Sequence, residues 1–135
     1  MNEAIKFLKG DITLALHRDN TVYTSNKRGV SALLEFIESK TDLSGFSAAD
    51  KVVGKGAAFL YVLLKVKSVY AGVISACAKE VLISHGIEVS SDMLVERIIN
   101  RDKTGFCPIE EAVYEINEPR CALIAIKEKL KKLRG

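Results

Sequence analysis

Residues 50–82 read DKVVGKGAAFLYVLLKVKSVYAGVISACAKEVL: a lysine between two glycines, an uncharged β-branched run, and a cysteine at the opening of a helical pattern. Val53, Ala57, Leu60 and Tyr61 recur at helical spacing. Just ahead of them, Ser47-Ala48-Ala49-Asp50 has the form of a capping box, so residues 47–64 are expected to form one long helix. SVYAGVIS (68–75) carries no charge and follows the polar KVKS, the pattern of a strand buried on both faces. SACAKEVLISHG then reads as a helix closed by Gly86, and IEVS opens a further strand.

Working outward, MNEAIKFLKG places Ala4, Ile5 and Leu8 on one helical face and ends at Gly10, a short opening helix. Ile12, Leu14 and Leu16 then alternate, turn residues Asp19 and Asn20 follow, and Val22 and Tyr23 complete a β-hairpin. GVSALLEFIESK puts Leu33, Leu34 and Ile37 on one face, with Ser31 as its cap. Beyond the central stretch, MLVERIINRDKTGF fits a helix or a strand, with residues 95–99 read as a strand. Pro108 sits in the first turn of a helix with two glutamates beside it, and a last helix spans residues 119–133. The central order β, β, α, α, β, α, β is that of an α/β sandwich with a mostly parallel later half. No internal repeat and no composition break divides the chain, which is expected to be a single domain over residues 1–135.

The 135 residues suffice to bury a core, and 48% hydrophobic with 27% charged residues is the composition of an ordinary globular domain. The net charge of +3 is concentrated in the tail KEKLKKLRG and at Lys27 and Arg28. Charges around Leu123, Ile124, Ile126, Leu130 and Leu133 read as the solvated face of an amphipathic helix. No basic face interleaved with aromatics points to nucleic acid. No run reaches the ~20 apolar residues of a membrane span, and the first residues lack a secretory signal, so the expected location is the cytoplasm. Cys77, Cys107 and Cys121 are odd in number and form no close pair, which argues against structural disulfides.

Gly54-Lys55-Gly56 does not make a phosphate loop: Walker spacing is absent, and Gly56 stands where a hydroxyl residue follows the lysine. Inside a helix each glycine would cost about 1 kcal/mol relative to alanine, so the pair suggests either close packing of the helix on the sheet or a ligand-facing Lys55. Cys77 and His85 lie eight apart on one helix with no third ligand at metal spacing, and Cys77 reads as a small core residue. His17 and His85 read as polar edge residues. Cys107, just before Pro108, is either a thiol activated by a helix start or a packing cysteine, with Glu110 and Glu111 opposing activation. Lys27 and Arg28 ahead of Gly29 form either an anion site or a solvated turn.

Three phrases, ADKVVGKGAAFLYV, VYAGVISACAKEVLISHGIEVS and IINRDKTGFCPIEEAV, resemble the DUF1893 family, uncharacterised small bacterial and archaeal domains whose fold is similar to cytidine deaminase. The resemblance covers nearly the whole chain and implies a three-layer α/β/α sandwich with a mixed sheet of about five strands. Zinc deaminases carry His-x-Glu at the start of one central helix and Pro-Cys-x-x-Cys at the start of the next. Along this chain the first motif falls on Lys55-Gly56-Ala57 and the second on residues 74–78. Lysine thus stands at the histidine position, alanine at the proton-shuttling glutamate, and Ser75 and Ala78 at the two cysteines. Cys77 misses its position by one.

The resemblance therefore implies a deaminase-like domain without metal ligands or cofactor, with a pocket at the starts of two central helices. Lys55, Ser75, Lys27 and Arg28 are the candidate ligand-binding residues, for a nucleotide or another phosphorylated small molecule. A second reading is an enzyme of another class with Cys107 as its nucleophile, supported by Lys55 or Glu110. A third is a structural domain that self-associates into a homo-oligomer through the region of Leu60, Leu63 and Leu64.

Overall fold

The computed structural model describes residues 3–27, 30–96 and 108–134. Period-two alternation in LALHR and TVYTS produces β1 (Leu14–Arg18) and β2 (Thr21–Ser25), paired antiparallel with Arg18 opposite Thr21. Asp19 turns the hairpin in a left-handed conformation, φ +52°. The chain continues through α1 (Ser31–Glu38), β3 (Ser47–Val53), α2 (Lys55–Leu64), β4 (Ser68–Ser75), α3 (Ala76–Ser84) and β5 (Glu88–Val95). Helices α4 (Pro108–Ala112) and α5 (Pro119–Arg134) follow.

The five strands form one mixed sheet in the order β2-β1-β3-β4-β5. β1 runs antiparallel to both neighbours, while β3, β4 and β5 are parallel. The α/β class with about five strands is thus observed. The main core lies between one face of the sheet and the helices, where Leu16, Val69 and Ile74 meet Phe59, Leu60, Leu82 and Ile126. On the opposite face a single 3-10 turn, Glu3–Phe7, forms a thin third layer: Ala4 packs on Ala15 of β1 and Ala49 of β3. Three alanines at that contact let the backbones approach closely.

The expected long helix over residues 47–64 is instead a strand and a helix. Ser47–Val53 is a central strand, hydrogen-bonded between β1 and β4 and buried over its first four residues, and α2 begins only at Lys55. Ser47 and Asp50 do not form a capping box. The Asp50 carboxylate accepts from the Tyr61 hydroxyl at 2.7 Å and from the Val52 amide at 3.4 Å, inside the protein. The opening segment is a 3-10 turn, not an α-helix. Val30, not Ser31, occupies the N-cap position of α1, and no side chain caps it. β5 is the strand that IEVS opens and it runs on to Val95; of the separate strand expected at residues 95–99, only Val95 is in a strand, Glu96 is not, and residues 97–99 lie outside the described residues. In α5 the buried positions are Ala122 and Ile126, whereas Ile124 is 60% exposed.

β3 and β4 share an irregularity. Buried positions that line the helix layer are spaced 48, 50, 53 along β3 and 69, 71, 74 along β4. The alternation therefore slips by one residue at Lys51 and again at its neighbour Gly72. A Cβ on Gly72 would lie 2.8 Å from the Lys51 carbonyl oxygen, so only glycine fits there.

Burial pushes the Asp50 carboxyl up to about 7, and the hydrogen bonds from Tyr61 and Val52 only partly oppose this. A carboxyl raised from 3.8 in the unfolded chain keeps its proton when folded while the unfolded form releases it. Its stabilising contribution is therefore complete below pH 3.8 and is lost as the pH rises towards 7. In urea unfolding, wild type should lose up to ~1.4 kcal/mol per pH unit across this window relative to Asp50→Asn. A wild-type minus variant difference that stays flat with pH would show that the carboxyl titrates normally.

Candidate functional site

Gly54 is extended, φ −98° and ψ 179°, and serves as the N-cap of α2. The two glycines therefore do not interrupt a helix; one ends the loop and the other lies in the first turn. A Cβ on Gly56 would meet Ile109 Cγ2 at 2.7 Å and Ile126 Cδ1 at 3.3 Å. Close packing thus explains Gly56, with α4 and α5 as the neighbours in place of the sheet.

Lys55 is only 7% exposed. Its ammonium donates to the Tyr114 carbonyl at 2.8 Å, beyond the end of α4, and stands 5.7 Å from the Phe59 ring centroid. A buried ammonium needs such partners, and here they tie the start of α2 to the chain following α4. Ser75 ends β4 and caps α3: it is 1% exposed, and its Oγ accepts from the Ala78 amide at 3.2 Å. Both residues stand at the helix starts where the sequence places them, each already engaged.

A groove of about 340 Å³ runs from the start of α2 along α3 towards its C-terminal end, and Ser75 does not line it. Lys55 and Phe59 line it from α2, Cys77, Glu80, Val81 and Ser84 from α3, followed by His85, and Asn117 from the turn between α4 and α5. His85 Nδ1 lies 2.8 Å from the Val81 carbonyl. A carbonyl can only accept, so Nδ1 carries a hydrogen in this contact. Cys77 is a partly exposed free thiol. Eight residues of helix separate it from His85, about 12 Å of rise, too far for a thiol–imidazole pair. Among the described residues no group of three His, Cys, Asp or Glu side chains is placed to hold a metal ion.

Lys27 is elsewhere. It lines a second groove with Thr24, Asn26, Ala32 and Glu35, and its ammonium is paired with Glu35 of α1. The structure therefore does not bring Lys27 and Lys55 into one groove. Arg28 and Cys107 lie outside the described residues. Of the region expected from sequence to self-associate, Leu60 and Leu64 are buried in the core and Leu63 alone is half-buried. Sequence reasoning missed Glu80, Ser84 and Asn117; their spacing of i and i+4 along α3 was the available signal for the first two.

A family model for a domain of unknown function, DUF1893, matches residues 3–130. The chain belongs to the DUF1893 family. The crystal structure of a DUF1893 family protein from Thermotoga maritima superposes with a TM-score of 0.78 and 27% identity, covering 90% of this chain and 81% of the other. A dCMP deaminase from cyanophage S-TIM5, in apo form, matches at 0.47 and 14% identity, over 59% of this DUF1893 chain and 79% of its own. A diaminohydroxyphosphoribosylaminopyrimidine deaminase/5-amino-6-(5-phosphoribosylamino)uracil reductase from Thermotoga maritima matches at 0.43 and 18%, over 59% of this chain and 29% of its own. At such TM-scores neither deaminase match carries an argument. Among curated proteins no sequence matches. No helix among the described residues of the DUF1893 chain is long and apolar enough to cross a membrane.

Gly56→Ala should destabilise the protein by ~1–3 kcal/mol through overpacking against Ile109. In an Ile109→Ala background the same substitution should cost less, and the two effects should fail to add when compared in a double-mutant cycle. Equal costs in both backgrounds would place the strain elsewhere.

Proposed function

We propose that this DUF1893 chain is a metal-free, deaminase-like binding domain that takes a nucleotide or related phosphorylated small molecule in the groove between the start of α2 and the length of α3. The observation that carries the reading is the convergence there of Lys55, Glu80, Ser84, His85 and Asn117 around about 340 Å³, a volume within the range of small-molecule sites. Lys55 supplies positive potential at the inner wall. Asn117 offers hydrogen bonds of either sense, the Ser84 hydroxyl, which already donates to the Val81 carbonyl, can accept one, and the Glu80 carboxylate accepts from a base amino group or a sugar hydroxyl. Ser75 acts indirectly, by fixing the first turn of α3.

Hydrolytic deamination by the zinc mechanism requires a histidine and cysteines on the metal and a glutamate to move protons. The positions that the sequence resemblance assigns to them hold Lys55, Ala57, Ser75 and Ala78. Recognition without that hydrolysis is the function these residue types support.

A panel of nucleoside mono- and triphosphates, added at millimolar concentration in a thermal-shift assay and followed by calorimetry, tests the reading. At least one should stabilise the protein saturably, and the surface pair Glu80→Ala and Asn117→Ala should weaken it ~10-fold, a loss of ~1.4 kcal/mol. No stabilisation by any member of the panel would remove the proposal.

A second reading, self-association, is favoured by a different surface. Ile83 of α3 and Met93 and Leu94 of β5 are 55%, 57% and 54% exposed, and β5 is an edge strand of the sheet. An eight-residue edge with exposed apolar side chains invites pairing with another copy. Light scattering across a concentration series should show a dimer that Leu94→Lys returns to monomer; a wild-type monomer at all concentrations would end this reading.

A further inference from the structure

At the far end of α2 from Lys55 lies another groove, of about 370 Å³, bounded by the end of α1, the loop into β3 and the start of α5. Its floor is apolar, with Phe36, Leu63 and Leu123. Around it stand Lys40, Lys65 and Arg120, against one carboxylate, Asp42. Among the described residues none of these three cations lies within 4 Å of a carboxylate, although Lys65 acts at longer range on Asp42 and Arg120 on Glu118. Asp42 accepts from the Ser44 amide at 3.0 Å, and Arg18 donates to the Ser44 carbonyl at 2.6 Å. Glu118 accepts from the Arg120 and Cys121 amides, which closes the N-terminus of α5 and leaves the Arg120 side chain as that helix's contribution.

The two lysines are placed unusually. Lys40 follows α1 and Lys65 caps α2, with φ +56° and +61°. Left-handed residues at helix ends are usually glycine or asparagine, because a Cβ is strained there. Here two lysines hold that conformation, and both reach the same groove. Helix C-termini attract cations through the dipole, so one lysine there has a local explanation. Two left-handed lysines, an arginine from a third helix and an apolar floor require more. Lys40, Lys65 and Arg120 with the adjacent Arg18, set against Asp42 and Glu118, leave a net charge of +2, which matches a phosphomonoester dianion of about −1.5 to −2 at neutral pH.

We infer that the groove formed by Lys40, Lys65 and Arg120 over Phe36, Leu63 and Leu123 binds a small phosphomonoester with an apolar body, phosphate on the cations and body on the floor. This site is separate from the one beside Lys55 and does not depend on it.

Phenyl phosphate carries both features and serves as the probe, followed by 15N amide shifts at low salt, with benzoate and benzyl alcohol as monoanionic and neutral comparisons. Phenyl phosphate should saturate with shifts at Lys40, Lys65 and Leu123, bind more tightly than benzoate, and weaken as salt is raised. Lys40→Gly and Lys65→Gly suit the left-handed backbone, so the double variant should stay folded while affinity falls at least ~10-fold. Lys127→Met, on α5 but paired with Glu38, should leave the affinity unchanged.

Several results would overturn the inference: no saturation up to ~10 mM, an affinity untouched by the double variant, equal binding of benzyl alcohol, or shifts confined to the Lys55 groove. Should the glycine variant unfold, Arg120→Met supplies the same comparison. Nucleotide binding at the Lys55 groove is read independently through Glu80 and Asn117, so either proposal can fail without the other.

Discussion

Helix α2 has no polar face, and a helix of that kind must be enclosed. Eight of its ten residues are buried, and α1, α3, α4 and α5 all pack against it above the sheet. Two polar groups enter the core with it. Tyr61 donates to Asp50 on the strand beneath, and Lys55 donates to the Tyr114 carbonyl beyond α4. A buried polar group is tolerated only when partnered, so these bonds also fix where the neighbouring pieces sit. The Tyr61 bond joins helix to sheet, and the Lys55 bond joins the central unit to the C-terminal helices.

The elements that could be read in advance are those whose pattern and environment agree. The hairpin alternates because one face of β1 meets the core. β4 is uncharged because both its faces are largely covered, and the turn that closes α3 after Ser84 is made by Gly86, whose φ is +78°. β3 was hidden for physical reasons. Its alanines are small because Ala49 meets Ala4 and Ala15 across a close contact, yet alanine is the strongest helix former. Asp50 looks like a surface or capping residue, and its burial depends on Tyr61, eleven positions later. No local pattern contains that pairing. Ile124 shows the limit in another way: the apolar stripe of α5 was legible, but which residues lie at its margin depends on how α5 rests on α2.

The candidate site was legible as a location. Lys55 and Ser75 do stand at the starts of the two central helices, but their present partners are supplied by parts of the chain remote in sequence. Ile109 packs against the backbone at Gly56, and Tyr114 supplies a carbonyl to Lys55. The C-terminal helices thus cover part of the ground between the helix starts and leave the groove displaced along α3, where Glu80 and Ser84 form its wall. Spacing within α3 could have indicated those two residues. Asn117 could not be found from sequence, because its place in the groove follows from the turn between α4 and α5.

The matched slip at Lys51 and Gly72 means that the sheet has two phases. Before it, even-numbered residues of β3 face the helices; after it, Val53 does. A one-residue deletion in β3 alone would put its last helix-facing residue, Val53, out of step with Ile74, and the same holds in reverse for β4. Only a simultaneous change in both strands keeps the core continuous, and that change would also rotate the points from which α2 and α3 depart. The irregularity thus acts as a keyed joint: it holds two helix origins in a fixed relation, so that sequence change at one strand is constrained by its neighbour.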